Sequence, residues 1–187
     1  MSHIIVSGLP RSGTSLMMQM LQAAGIDLIS DGERIADDDN PAGYLEFERV
    51  KKIKNDTLWL DNSDGQAVKI IVPLIFELPS RYNYKVIVMK RAMPEILASQ
   101  KKMLARRGQQ GSAMPDTMLS KVFTQQLQKL NRWLDAQDNC QFIEVEYSEL
   151  MTQPQKQVEQ LKNFLQLPLD SNVMVNCIDP ALYRNRI

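Results

Sequence analysis

The chain of 187 residues contains a single histidine, His3, and only two cysteines, Cys140 and Cys177. This scarcity of histidine argues against a histidine-dependent catalytic triad and against a zinc site. The cysteines form no C-x-x-C pair and have no histidine beside them, so we predict no metal site and interpret both as reduced thiols. Reduced thiols, with no visible signal peptide, predict a cytoplasmic protein.

The sequence also lacks a net charge and a long apolar run. It has 22 Lys+Arg and 22 Asp+Glu, whereas proteins that bind nucleic acids or membrane surfaces usually carry a basic excess. The apolar stretch 68–76 is interrupted by Lys69 and Pro73 and is far shorter than the roughly 20 residues of a membrane-spanning helix. We therefore expect neither nucleic acid nor a membrane span, while a local basic pocket for a small anion is compatible with zero net charge.

Apolar runs alternate with amphipathic stretches along the whole chain. The runs predict strands at residues 4–7, 67–72, 84–89 and 142–145, and the stretches between and after them predict helices, including one over 45–60. Alternating strands and helices are typical of an α/β fold with a mostly parallel sheet. We predict a three-layer α/β/α sandwich of the P-loop type that forms one domain over residues 1–187.

The first apolar run ends in a glycine-containing loop that leads directly into a helix. Gly8 and Gly13 have the spacing of the nucleotide triphosphatase loop G-x-x-x-x-G-K-[ST], and Ser15 matches its last position. Thr14 stands where that motif has lysine, and the cation of the segment is Arg11 instead. We therefore predict a phosphate-binding loop that does not cleave ATP in the usual way.

The same loop supplies backbone donors for a phosphate. N–H groups at the start of a helix carry partial positive charge and converge on an anion with the N–H groups of the loop. We expect Arg11 to add a full charge to the donors of four consecutive residues. These residues are Ser12, Gly13, Thr14 and Ser15. A plain turn between strand and helix is the alternative interpretation.

A second candidate anion site follows the third predicted strand. Arg91 comes directly after that strand, so it projects from the same carboxyl edge of the sheet as the first loop. Ser99 lies eight residues later, in the next predicted helix. An arginine and a hydroxyl in this arrangement can meet a second phosphate. The alternative is a surface arginine with a serine that faces solvent.

These segments resemble sulfotransferases. The stretch L-P-R-S-G-T-S at 9–15 resembles the family's 5′-phosphosulfate-binding loop, and Arg91 with Ser99 resembles its 3′-phosphate-binding pair. N-P-A-G-Y-L-E at 40–46 resembles a segment of many bacterial members, and E-Y-S-E-L at 146–150 resembles a later strand-and-helix segment. The resemblance implies transfer of a sulfuryl group from 3′-phosphoadenosine 5′-phosphosulfate to a hydroxyl or amine of a small molecule or glycan, with no required metal.

The resemblance also implies roles for individual basic residues. Arg11 and the loop amides would stabilise the departing 5′-phosphate. Lys69 resembles a lysine on the matching strand of bacterial relatives and would reach the sulfuryl oxygens, although an edge-strand lysine that reaches solvent fits as well. Arg184 and Arg186 would close over the donor, as a late basic loop does in many sulfotransferases. A solvated tail is the alternative for this segment.

The acceptor requires a general base, and His3 is badly placed for that role because it lies at the start of the first strand. Glu46 is our candidate, since it falls on the inward face of the helix predicted over 45–60, whereas Glu48 does not. Glu46 could instead charge the first turn of that helix. We expect the acceptor to be bound by the loops 30–44 and 108–116.

Two other functions fit parts of the sequence. A P-loop phosphotransferase of the kinase type is weakened by Thr14 at the lysine position and by the lack of an apolar strand that ends in aspartate for magnesium. A protein that binds adenosine bisphosphate without catalysis is the other alternative, because a short chain has little material for a deep acceptor pocket. The sequence does not identify the acceptor or the oligomeric state.

Overall fold

Four apolar runs form the strands of a central sheet in the computed structural model, which describes residues 2–37, 40, 43–106, 108 and 114–183. The strands are β1 (His3–Gly8), β2 (Ala67–Lys69), β3 (Tyr84–Lys90) and β4 (Cys140–Glu146). They lie in the order β2-β1-β3-β4, and each neighbouring pair is parallel. The predicted positions are correct within two residues, except that β2 ends three residues early.

Helices and short 3₁₀ turns connect these strands. The α-helices are α1 (Thr14–Ala23), α2 (Met93–Arg106), α3 (Asp116–Asp135), α4 (Tyr147–Thr152), α5 (Pro154–Leu165) and α6 (Ser171–Asn176). The 3₁₀ turns are Glu48–Lys52, Leu58–Leu60, Leu74–Glu77 and Pro180–Leu182. No helix in the described part of the chain is both long enough and apolar enough to cross a membrane.

The sheet is buried on both faces. Ile4 and Val6 of β1 point to one side, where they pack in a core cluster with α1, α5 and α6. Ile5 points to the other side and packs with α3 and with residues of the 3₁₀ turns. Parallel strands that are covered on both faces have nearly continuous apolar runs, as Ile4, Ile5 and Val6 of β1 do. The predicted α/β/α layering with a parallel sheet is therefore confirmed.

The largest departure from prediction lies at residues 45–60, which do not form one helix. Two 3₁₀ turns, Glu48–Lys52 and Leu58–Leu60, take its place. The chain turns between these two elements. Arg49 stabilises this segment by donating two hydrogen bonds to the Asp56 carboxylate, at 2.8 and 2.9 Å. Apolar residues of both turns are buried in one core cluster, so their spacing reflects burial and not a continuous helix.

The strand order places a crevice at the carboxyl end of β1. The next two strands along the chain, β2 and β3, lie on opposite sides of β1, so the connections leave the sheet edge in opposite directions. Ligands of open α/β sheets bind in the crevice that this reversal creates. The loop between β1 and α1 lies at this point.

Candidate active site

The loop after β1 begins at a position that only glycine can occupy without strain. Gly8 has φ +143°, and a Cβ atom there would lie 2.5 Å from the Met89 carbonyl oxygen. Ser12 then folds the loop back, because its N–H and its hydroxyl both donate to the Leu9 carbonyl, at 3.2 and 2.7 Å. The first half of the loop is thus fixed by its own short-range contacts.

The second half of the loop leads into the start of α1. Gly13 is the N-cap residue with φ +103°, and a Cβ atom on it would lie 2.5 Å from Cδ2 of Tyr147. Arg11 also has a positive φ, of 69°. Left-handed residues next to a helix start turn successive N–H groups toward one concave point, which favours an anion there. The local geometry therefore favours the anion-binding interpretation over a plain turn.

A cavity of about 430 Å³ lies in front of this loop. Among the described residues, six basic and two acidic side chains line it, although the chain as a whole has no net charge. The basic ones are Arg11, Arg34, Lys69, Arg91, Lys102 and Arg106, and the acidic ones are Glu46 and Asp179. A concave site with an excess of one sign of charge concentrates ligands of the opposite sign. The cavity is suited to a polyanion.

The structure brings the two predicted phosphate-binding groups together. The Nε atom of Arg11 donates to the Ser99 hydroxyl at 2.9 Å. Arg91 Nη1 donates to the carbonyl oxygen of Arg11 at 3.2 Å. The loop, the end of β3 and the first half of α2 therefore share one wall of the cavity, and the alternative of a surface arginine with a solvent-facing serine is wrong.

Arg91 is held by acidic and aromatic partners that sequence reasoning missed. Its Nε donates to Glu95 Oε2 at 2.7 Å, and the two side chains are only 8% and 5% exposed. The guanidinium carbon lies 4.5 Å from the ring centre of Tyr147 and 5.6 Å from that of Tyr183. The Tyr183 hydroxyl donates to the other oxygen of Glu95 at 2.7 Å. The spacing of four residues between Arg91 and Glu95 was the available signal.

Lys69 lies inside the cavity wall and does not reach solvent. It is 5% exposed, and its ammonium group donates to the Ser15 hydroxyl at 3.1 Å and to the Tyr44 carbonyl. Glu46 Oε1 lies 3.2 Å from the same nitrogen. Burial lowers the pKa of Lys69 to about 8, while the neighbouring Glu46 carboxylate opposes that change. The alternative of a solvent-reaching edge lysine is therefore wrong.

Glu46 reaches the cavity by a route other than the one predicted. It lies before the first 3₁₀ turn, so neither a helix face nor a helical first turn explains its position. Arg34 Nη1 donates to both of its oxygens, at 2.9 and 3.1 Å. Glu48, the rejected candidate, pairs instead with Lys51 at 2.6 Å in an exposed position. Glu46 therefore lines the cavity although the predicted helix is absent, and its role as general base stays a prediction.

Arg34 is a cavity residue that the sequence did not reveal. Its guanidinium carbon lies 3.4 Å from the ring centre of Tyr44. The Tyr44 hydroxyl donates to both carboxylate oxygens of Asp37, at 2.7 and 2.8 Å. Burial, and then this hydrogen bond, raise the pKa of Tyr44. An arginine in an irregular loop has no periodic signal, so only these contacts identify it.

Other predicted positions are distant from the cavity or outside the described residues. His3 is buried at the opposite end of β1, where Nδ1 lies 3.1 Å from the Ser63 carbonyl oxygen. Arg184 and Arg186 lie outside the described residues, as do residues 109–113 of the second predicted acceptor loop. No group of three or more histidine, cysteine, aspartate or glutamate side chains in the described ranges is arranged to hold a metal ion.

Comparison with known proteins identifies the family of this chain. The profile of a protein family described as the sulfotransferase domain matches residues 1–185. The chain belongs to this sulfotransferase family. Membership makes it an enzyme of sulfuryl transfer, so the predicted reaction is confirmed over the phosphotransferase and the non-catalytic binder. A search of curated proteins found no match.

Solved sulfotransferase structures share the fold at low sequence identity. The sulfotransferase domain from the curacin biosynthetic pathway is 14% identical, with a TM-score of 0.58 over 95% of this chain and 78% of that one. Mouse sulfotransferase SULT7A1 complexed with PAP is 16% identical, with a TM-score of 0.56 over 94% and 63%. The sulfotransferase from Alicyclobacillus acidocaldarius is 13% identical, with a TM-score of 0.55 over 97% and 88%. The matched part of this chain spans between 63% and 88% of the length of these relatives.

Proposed function

We propose that this sulfotransferase uses 3′-phosphoadenosine 5′-phosphosulfate as donor and a hydroxyl or amine of a small molecule or glycan as acceptor, within one domain over residues 1–187. The observation that carries the proposal is the meeting of the loop 8–15 with Arg91 and Ser99 at one basic cavity. A donor with a 3′-phosphate and a 5′-phosphosulfate needs two such anion sites. The relative that is complexed with PAP supports this choice of nucleotide.

The donor's 5′-phosphosulfate is assigned to the loop and its 3′-phosphate to the end of β3. Arg11 and the N–H groups of four residues, Ser12, Gly13, Thr14 and Ser15, bind the 5′ group. Arg91 and Ser99 bind the 3′-phosphate. We assign the closing of the site over the donor to Arg184 and Arg186, on the resemblance of the sequence alone.

The reaction is an in-line displacement at sulfur. The acceptor oxygen or nitrogen forms a bond to sulfur while the bond between sulfur and the 5′-phosphate oxygen breaks, and the acceptor's proton passes to a base. By analogy with phosphoryl transfer, positioning and charge stabilisation supply most of the catalysis. Arg11 and the loop amides stabilise the charge that develops on the departing phosphate.

Lys69 and Glu46 form the acceptor side of this mechanism. Lys69 contacts Ser15, the last residue of the loop, and Glu46 contacts Lys69, which supports a position of both near the sulfuryl group. Protonated Lys69 stabilises charge on the sulfuryl oxygens. Glu46 takes the acceptor's proton, since it is one of two carboxylates among the described lining residues and the one next to the loop.

Two further expectations belong to this proposal. Arg34, Asn40 and Tyr44 of the first predicted acceptor loop line the cavity, which supports a role for that loop in acceptor binding. Cys140 and Cys177 are both free thiols, which supports a reducing compartment and hence a cytoplasmic location.

The proposal is tested by nucleotide binding and by turnover. Calorimetry should show that adenosine 3′,5′-bisphosphate binds without magnesium and more tightly than ATP with magnesium, and Arg91→Ala should weaken that binding. Incubation with the sulfated donor should release the bisphosphate when a panel of hydroxyl and amine acceptors is added. Preference for magnesium-ATP, or bisphosphate binding that is indifferent to Arg91→Ala, would overturn the donor assignment.

A further inference from the structure

The segment that follows α6 packs against the wall of the cavity at Arg91. It contains the 3₁₀ turn Pro180–Leu182, which Asp179 caps, because its carboxylate accepts a hydrogen bond from the Ala181 N–H at 2.9 Å. Tyr183 comes directly after this turn. It is partly buried, whereas the two residues before it are exposed. The capped turn therefore directs the Tyr183 side chain inward, toward Arg91.

Tyr183 completes the hydrogen bonding of a buried carboxylate. The Glu95 side chain is 5% exposed, and its two oxygens accept from different donors. Arg91 Nε donates to Oε2, and the Tyr183 hydroxyl donates to Oε1, each at 2.7 Å. A buried carboxylate oxygen that loses its donor is costly, because no water replaces the lost hydrogen bond. The Tyr183 hydroxyl thus helps to hold Glu95 in the orientation that pairs with Arg91.

The phenol is a lasting donor in this position. Burial, and then the hydrogen bond to Glu95, raise the pKa of Tyr183. Tyr183 therefore keeps its proton throughout the neutral range and continues to donate to the carboxylate.

The Tyr183 ring also contacts the guanidinium of Arg91 directly. The guanidinium carbon lies 4.5 Å from the ring centre of Tyr147 and 5.6 Å from that of Tyr183. The two rings contact each other at 5.2 Å with an angle of 85° between their planes. Arginine recognises phosphate through the direction of N–H groups in one rigid plane. The two rings and Glu95 restrict that plane, so they set the direction in which Arg91 can donate.

On these grounds we propose that Tyr183 is a positioning residue of the 3′-phosphate site. It holds the Glu95 carboxylate and packs beside the guanidinium, so that Arg91 is oriented before the nucleotide arrives. The proposal rests on the proposed donor and on the assignment of its 3′-phosphate to Arg91. It gives the segment 179–183 a part in nucleotide recognition that acts through Arg91 and requires no contact between Tyr183 and the nucleotide.

The test measures the affinity ratio for two nucleotides that differ only in the 3′-phosphate. Calorimetry with adenosine 3′,5′-bisphosphate and with adenosine 5′-phosphate gives this ratio for the wild type and for Tyr183→Phe. We expect Tyr183→Phe to bind the bisphosphate about fivefold more weakly, with the monophosphate unchanged. Tyr183→Ala, which also removes the ring beside Arg91, should weaken bisphosphate binding further.

Tyr82→Phe is the matched control. The Tyr82 hydroxyl also donates to a carboxylate, that of Asp61, and Tyr82 is likewise partly buried. It precedes β3 and therefore lies at the end of the sheet away from the cavity. Tyr82→Phe removes the same kind of hydrogen bond and should leave both nucleotide affinities as they are.

A second variant tests whether Tyr183 acts through Glu95. In Glu95→Gln the buried carboxylate is gone, so the Tyr183 hydroxyl should matter less. We expect Tyr183→Phe to change the affinity ratio by about twofold or less in that background. An undiminished loss there would indicate a direct contact between Tyr183 and the nucleotide and would overturn the positioning role.

The remaining outcomes separate this proposal from the donor assignment. An unchanged affinity ratio in Tyr183→Phe, or the same change in Tyr82→Phe, would overturn the positioning role while the donor assignment stands. Equal losses for both nucleotides in Tyr183→Phe would also overturn it, because a general structural defect does not discriminate between them. A wild type that binds the bisphosphate no better than the monophosphate would overturn the donor assignment and the positioning role together.

Discussion

The two sides of the cavity are built in opposite ways. The loop Gly8–Ser15 consists of consecutive residues, and its concave shape comes from backbone angles and from contacts such as Ser12 to Leu9, three residues apart. The facing side is made of Glu46, Lys69 and Arg34, which come from three separate segments and are joined by ion pairs. The loop is a local structure, whereas the facing side depends on the whole fold.

This difference matters for how each side responds to change. Backbone donors cannot be removed by substituting a side chain, so the loop is vulnerable mainly where a Cβ atom would clash or where its charge is lost. The facing side is a network of charged side chains, where removal of Glu46 leaves the buried Lys69 without its carboxylate partner. Substitutions on the two sides should therefore give different signatures, and the predictions that follow test this from the largest effect to the smallest.

Removal of the loop's charge should have the largest effect. Arg11→Ala removes the guanidinium assigned to the departing phosphate, and we expect kcat to fall about 100- to 1,000-fold, as for loss of one preorganised donor. Steady-state kinetics with saturating donor measure this. Arg11→Lys, which keeps the charge but loses the forked geometry, should recover part of the rate. A kcat within about twofold of wild type in Arg11→Ala would show that backbone donors suffice.

Glu46→Gln should damage the facing side while it leaves the loop intact. We expect kcat to fall about 100-fold, the lower range for loss of a general base, with the affinity for adenosine 3′,5′-bisphosphate unchanged. The measurement combines turnover with calorimetry. Glu48→Gln is the control, because Glu48 forms an exposed ion pair with Lys51. This variant should keep the wild-type kcat and nucleotide affinity. Normal turnover in Glu46→Gln would exclude Glu46 as the base.

Gly13→Ala should show how tightly the loop is held by its surroundings. Its Cβ atom would meet the Tyr147 ring at 2.5 Å, whereas Gly25, which also has a positive φ, has open space around it. Strain from positive φ affects both variants, so the clash should cost Gly13→Ala about 2 kcal/mol more than Gly25→Ala. Urea unfolding measures the difference. Equal losses of unfolding free energy in the two variants would mean that contact with Tyr147 does not constrain the loop.

The smallest effect should be the pH dependence that Lys69 confers. With its pKa at about 8, Lys69 loses its proton as the pH rises through that value, and protonated Lys69 is the form assigned to catalysis. We expect kcat to decline above pH 8, by about tenfold for each further pH unit at most. A pH–rate profile shows the decline. Lys69→Met should be slower at neutral pH and should lack this limb.

The pH dependence of the free energy of unfolding is an independent test of the lowered pKa of Lys69. In the unfolded chain Lys69 holds its proton up to its ordinary pKa of 10.5, whereas the folded chain releases it near 8. The unfolded state thus binds more protons between these values, so the contribution of Lys69 to stability rises with pH across that window. Urea midpoints at pH 8 and pH 10 should differ less in Lys69→Met than in the wild type.

Prediction from sequence succeeded where structure depends on near neighbours. The four strands and the loop after β1 were found because apolar runs and glycine spacing are local properties. The helix predicted over 45–60 failed because its apolar spacing was produced by two 3₁₀ turns that bury residues in one cluster. A bidentate contact between Arg49 and Asp56 across that turn has no counterpart in a pattern of hydrophobic residues.

The sequence by itself determined the parallel α/β fold and predicted the phosphate-binding loop at residues 8–15, because both inferences use the short-range spacing of apolar residues and glycines. Only the tertiary structure decided that Arg34 holds Glu46, that Lys69 is buried beside Ser15, and that Arg91 is neutralised by Glu95. Ion pairs form between whichever charged groups the fold brings within a few ångströms, and Coulomb attraction depends on that distance and on burial, not on separation along the chain.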